Sequence, residues 1–275
     1  MTHDLKLDEI GNWSEVKLEI VKKYAQAYST ILSKKAHLRH AYIDGFSGPG
    51  VHLKKLTGEM VKGSPLNALE VTPPFKEFFL VDLDGDKVEL LKGIVGEEPG
   101  VHVFQGDCNK ILLEQVFPHV RYEDYRRGLC LLDPYGLHLD WCVILKAGSM
   151  KSLEIFLNFP IADINRNVLR KDQSTVLPSD MVRMTRYWGD ESWREELFKP
   201  SPQLSLFGEP DQEKESNEAV AAAFRERLRV KAGFTHVPEP LPMRNSKGAI
   251  VYFLFFAAQQ PVAAHIVEEI FTKYR

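Results

Sequence analysis

Apolar positions along this chain fall into short solid blocks, and the stretches between them repeat at helical spacing. Residues 14–34 place Val16, Ile20, Tyr24, Tyr28 and Leu32 on one stripe, which predicts an amphipathic opening helix with Ser14 as its N-cap. Compact apolar runs follow at 41–43, 78–81, 101–104, 129–132 and 153–157, each closing on a polar or turn residue. Helical stretches at 64–71, 85–95, 108–118 and 139–148 lie between most of them, with Ser64 read as an N-cap and Pro65 at N1. Strand and helix alternating in this way predict an α/β fold with a doubly wound, mostly parallel sheet. After Pro160 the regularity stops, and "KPSPQLSLFGEPDQEKESN" reads as a mobile loop inside a larger insertion. A helix at 216–231, two runs joined by the turn "RNSKG", and a last helix from Pro261 to Tyr274 restore it. The second run, "AIVYFLFFAA", is expected to pair back as an antiparallel hairpin, making seven strands in all.

Composition narrows the classes. With 275 residues, 44% of them hydrophobic, the chain can bury one large core or a main domain with a smaller appendage. It has no unbroken apolar run of about 18 residues, and "MTHDLKLDEIGNW" lacks the apolar stretch of a secretory signal; a cytoplasmic protein with no membrane partner is expected. Cys108, Cys130 and Cys142 have neither CxxC spacing nor an even count, so reduced thiols are expected and no metal site. A net charge of -3 gives no global attraction to nucleic acid; any polyanion must meet a local patch.

Ligands on open α/β sheets sit outside the carboxyl ends of the strands, so the residues ending each run are read as a group. Four of those ends carry aspartate: Asp44, Asp82, Asp107 and Asp133. Singly, each serves as readily in a turn or N-cap; four in register favour a binding site. Asp44 is followed by Phe46-Ser47-Gly48-Pro49-Gly50, which matches the FxGxG form of methyltransferase motif I, with Phe46, Gly48 and Gly50 at the cofactor. "VHLKKLTGEMVKG" intervenes before Ser64, unlike a dinucleotide fingerprint, whose last glycine helps open a helix directly. Asp82, with Asp84 in reserve, resembles the acid that accepts both ribose hydroxyls, and Asp107 the acid that accepts from the adenine amino group. "DPYG" resembles the (D/N/S)PP(Y/F) motif of amino-methyltransferases acting on bases, although one proline is missing. There Asp133 and Pro134 would orient a target amine while Tyr135 stacks on its ring. Asn158 and Phe159 would stand at the pocket rim. Asn165, Arg166, Asn167, Arg170 and Lys171, with Arg183, Arg186, Tyr187 and Trp188 beyond, read either as a local groove for phosphate and bases or as a solvated cap; residues 161–190 hold five basic and four acidic side chains. His138 and Trp141 line the target pocket or serve in capping and packing.

"DGFSGPG", "GSPLNALE", "FFLVDLD", "LLDPYG", "FLNFPIADINRN" and "PMRNSKGAIVYFLFFAAQ" together resemble the three-Cys-motif partner proteins, a bacterial and phage-associated family, over nearly the whole chain. The resemblance implies a Rossmann-like class I S-adenosylmethionine-dependent methyltransferase fold and dependence on a neighbouring protein that carries a three-cysteine motif. The expected organisation is an opening helix and cofactor-binding part at 1–160, an insertion or substrate cap at 161–215, and a return to the core at 216–275. The expected activity is methyl transfer from S-adenosylmethionine to an exocyclic base amine of DNA or RNA. Two alternatives stand beside it: a catalytically weak or inactive partner and regulator with the same fold, and, more weakly, an NAD(P)-dependent oxidoreductase, which predicts a purely parallel sheet.

Overall fold

The computed structural model describes residues 7–204 and 210–275; residues 1–6 and 205–209, including the middle of the stretch read as a mobile loop, lie outside the described residues. Chain order is β1 (Glu9–Ile10), α1 (Asn12–Ser33), β2 (Arg39–Asp44), β3 (Val51–Lys54), β4 (Met60–Lys62), α2 (Ser64–Leu69), β5 (Glu77–Asp82), α3 (Gly85–Val95), β6 (Val101–Gln105), α4 (Cys108–Ile111), β7 (Arg126–Leu132), α5 (Trp141–Met150) and β8 (Leu153–Phe159). It continues with α6 (Ile161–Asn167), α7 (Pro178–Trp188), α8 (Trp193–Glu196), β9 (Phe198–Leu204), β10 (Pro210–Lys214), α9 (Asn217–Val230), β11 (Leu241–Arg244), β12 (Ile250–Ala257) and α10 (Pro261–Thr272).

Seven strands form one sheet in the order β11-β12-β8-β7-β2-β5-β6. Five of them, β8-β7-β2-β5-β6, run parallel out to one edge, while β12 is antiparallel to β8 and β11 is antiparallel to β12, as the terminal hairpin predicts. The strands are apolar on both faces because helices cover both, and each face carries its own core. Ile43, Val81, Leu132, Leu157 and Phe255 pack with α5, α7 and α9. Tyr42, Leu80, Leu131, Phe156 and Phe256 pack with α1 and α10.

Register places the site. Asp44 sits beside Leu80 of β5 and Leu131 of β7, so Asp82 and Asp133 each fall two residues beyond it on flanking strands. Side chains two apart along a strand share a face. The aspartates therefore converge at one end of the sheet.

Several local expectations change. α1 begins at Asn12 after an extended Gly11, so Ser14 is inside the helix. Ser64 is the first residue of α2 rather than its cap, because its hydroxyl is spent on Asp44 at 2.5 Å. The helix expected at 108–118 is a short α segment followed by wider and tighter turns. Part of the "mobile loop" is an antiparallel ribbon, β9 with β10. The segment after the glycine turn is also ordered: β3 and β4 pair with each other, and β3 takes β1 as a parallel neighbour. Among the described residues no helix is long and apolar enough to cross a membrane.

Candidate functional site

The loop after β2 is tied to both neighbouring strands. Gly45 N donates to Leu131 O at 3.0 Å, Ser47 N to Val81 O at 2.8 Å, and Gly48 N to Asp82 Oδ2 at 2.7 Å. Gly48 at φ 59° and Gly50 at φ 81° occupy the left-handed region that favours glycine. A Cβ on Gly50 would also stand 2.8 Å from Leu91 Cδ1 of α3.

Two cavities lie over this end of the sheet and share Phe46 and Tyr135 as common wall. The first, about 370 Å³, is walled by Asp82, Leu83, Asp107, Leu137 and His138. Asp82 is nearly buried and also accepts from Asp84 N at 2.9 Å, so each of its oxygens already holds one donor and keeps a lone pair. Asp107 Oδ1 takes both Asn109 N and Asn109 Nδ2 at 2.9 Å, capping α4, while its Oδ2 has no hydrogen bond among the described residues. Asn109 also bridges to His138 O at 3.1 Å and accepts from Asp140 N at 2.7 Å, which fixes the loop forming the far wall. Cys108 faces the same cavity, its thiol pushed up to about 12 chiefly by burial, so it is an apolar wall and not a nucleophile. An apolar slot between two aspartates suits a planar ring joined to a polyol.

The second cavity, about 360 Å³, is walled by Gly48, Asp133, Pro134 and Asn158 from the strand ends, and by Lys17, His52 and Tyr252 from elsewhere. Lys17, buried on α1, forms an ion pair with Asp133 Oδ2, and Asn158 Nδ2 donates to Asp133 Oδ1 at 2.7 Å. Tyr135 is 64% exposed, and its hydroxyl donates to Asp8 Oδ2 at 3.0 Å. Asp8 also holds Lys87 at 2.5 Å, and its carboxyl lies below the usual range because these partners outweigh the opposing effect of burial. The segment leading into β1 is thereby pinned over Tyr135. Burial lowers the His52 imidazole, keeping it neutral near pH 7.

Other expected positions fall differently. Asp44 is fully buried under the loop, where it accepts Phe46 N at 3.1 Å and the Ser64 hydroxyl; it supports the loop without facing either cavity. Gly50 likewise acts through packing. Phe159 is not at the rim but wholly buried against Phe224, Phe255 and Tyr187, because it points to the face of β8 that packs on α7 and α9. Tyr187, Trp188 and Trp141 are also core residues, so no base can stack on them. Arg166 is exposed and Arg170 bonds to Arg166 O and Thr175 O; neither lines either of these two cavities. Arg183 and Arg186 do line the first cavity, with Arg186 paired to Asp140 at 2.5 Å.

No family model matches the chain, and no curated protein does. Among solved structures, the crystal structure of protein LPL1258 from Legionella pneumophila str. Philadelphia 1, family-model DUF519, is similar in fold at a TM-score of 0.50 and 12% identity, covering 95% of this chain and 92% of that one. At this identity the likeness concerns the fold alone.

Lys17, Asp8, His52 and Tyr252 were outside any strand-end pattern. Their one sequence signal is Lys17 itself, a charge between Val16 and Leu18 near the apolar stripe of α1.

Proposed function

We propose that this protein is an S-adenosylmethionine-dependent methyltransferase that modifies an exocyclic amine of a base in DNA or RNA. The observation that carries the reading is the pair of cavities that meet at Phe46 and Tyr135, one holding Asp82 and Asp107 and the other Asp133. The sheet order supports a Rossmann-like class I methyltransferase fold, and an antiparallel β12 argues against an NAD(P)-dependent oxidoreductase.

The residues present fit the cofactor. The open Asp107 Oδ2 would accept from an adenine amino group, Asp82 would use its remaining lone pairs on ribose hydroxyls, and Leu83 and Leu137 would pack on the ring. When bound, S-adenosylmethionine supplies a sulfonium-activated methyl group. Asp133 is held in one orientation by Lys17 and Asn158, and each of its oxygens keeps a lone pair for the hydrogens of a target amine. Pro134 fixes the turn, and the exposed Tyr135 ring offers a stacking surface for an extruded base. Arg183 and Arg186 at the first cavity suit phosphate contacts despite the acidic net charge.

One observation favours the second reading, a regulator serving a three-Cys-motif protein: both Asp133 oxygens are already engaged. Incubation with methyl-labelled cofactor and mixed DNA, RNA and protein, with and without that partner, separates the two. Label entering nucleic acid, and lost in Asp133→Ala, supports the enzyme. Cofactor binding without any transfer supports the regulator.

A further inference from the structure

A third cavity, about 240 Å³, lies at the opposite end of the sheet, between α1 and α10 and beside the first residues of β7 and β8. Strands of six or seven residues separate it from the site above by roughly 20 Å. Its deep part is polar. Tyr24, almost fully buried, donates its hydroxyl to Glu154 Oε2 at 2.5 Å. Tyr28, only 6% exposed, has a buried hydroxyl with no hydrogen-bond partner among the described residues. A buried hydroxyl left unmatched costs on the order of 1–3 kcal/mol, so its retention beside a cavity calls for a partner. Burial raises the Glu154 carboxyl to about 7, which lets it offer a donor as well as an acceptor near neutrality.

The outer part is cationic. Lys35, Arg127 and Lys151 line it, and among the described residues none of the three forms an ion pair. The Arg127 guanidinium lies over the Tyr122 ring, 3.7 Å from its centroid, with Nη1 donating to Tyr122 O and Arg126 O. Ile31, Leu38 and Ile266 supply apolar sides. Three cations face one carboxyl that burial disposes toward its neutral form.

We infer that this cavity is a second binding site, for a small ring-bearing organic anion whose polar ring edge meets Glu154 and Tyr28 and whose anionic group meets Lys35, Arg127 and Lys151. A nucleoside monophosphate and an aromatic carboxylate share this chemistry. The inference stands whether or not the protein transfers methyl groups, since no residue is common to the two ends.

The test titrates the full chain with adenosine monophosphate, cytidine monophosphate and para-aminobenzoate, using adenosine, cytidine and para-aminobenzamide as the respective neutral counterparts. At least one anion is expected to bind saturably with Kd at or below about a millimolar, and its neutral counterpart about tenfold more weakly. Arg127→Gln, the exposed Lys151→Glu, and Tyr28→Phe, which removes only the hydroxyl, are each expected to weaken that binding by about tenfold. The nucleotide and benzoate arms identify which source fits. Absence of saturable binding by all three anions overturns the inference. So does equal binding of the neutral counterparts, indifference to all three substitutions, or competition by S-adenosylhomocysteine, which would put the ligand in the other cavities.

Discussion

Lys17 Nζ and Asp133 Oδ2, 116 residues apart, form an ion pair in which the lysine is 8% and the aspartate 26% exposed. The first helix of the chain is thus fastened to the strand end where the site's acceptor stands. Removing the lysine would leave Asp133 partly buried without its countercharge. Lys17→Met is therefore expected to destabilise the fold by about 2 kcal/mol, and adding Asp133→Asn should recover most of that loss. Urea unfolding of the two single variants and the double variant measures the coupling.

Asp44 makes stability depend on pH. Burial raises its carboxyl from the ordinary 3.8 to about 7. Between those values the folded chain keeps a proton that the unfolded chain releases, so this group's contribution is full below 3.8 and is lost as pH rises through about 7. Asp44→Asn, which resembles the neutral acid, is expected to flatten that part of the decline. Thermal melting across this window, compared between wild type and variant, checks it.

Tyr135 is expected to act through its ring rather than its hydroxyl. Base stacking on an aromatic side chain contributes about 1–3 kcal/mol, so Tyr135→Ala should weaken nucleic-acid binding by about tenfold to a hundredfold. Tyr135→Phe should keep that affinity while releasing Asp8, and faster proteolysis near residue 8 would report the loosened segment.

Two glycines of similar φ should respond differently to alanine. Gly50, at 81° and facing Leu91 at 2.8 Å, pays both backbone strain and a clash, so Gly50→Ala is expected to cost about 2–4 kcal/mol. Gly58, at 68° with open space around it, should cost about 1 kcal/mol. Denaturant midpoints of the two variants give the comparison.

The sheet was legible in the sequence because its signals are local: solid apolar runs, helical spacing between them, and the "RNSKG" turn before β12. The strand-end aspartates were legible for the same reason, since the chain must leave each strand where its apolar run stops. What each aspartate does was not. Asp44 and Asp82 look alike as run-ending acids, yet register and the glycine loop bury one and leave the other on a cavity wall. Phe159 and Asn158 are neighbours with opposite fates because a strand alternates faces. Lys17 and Asp8 join the site only through tertiary packing of α1 and β1, which no local pattern encodes. The β3–β4 pair was hidden in "VHLKKLTGEMVKG", whose half-exposed strands carry too little apolar alternation to stand out.

The most direct test is calorimetric titration of the full chain with S-adenosylhomocysteine, for wild type, Asp82→Ala and Asp107→Ala, each first checked for a wild-type melting profile. Saturable one-to-one binding by wild type that weakens by about tenfold or more in each variant is the predicted result. Absence of binding by the folded wild-type protein, or equal binding by both variants, would contradict the account.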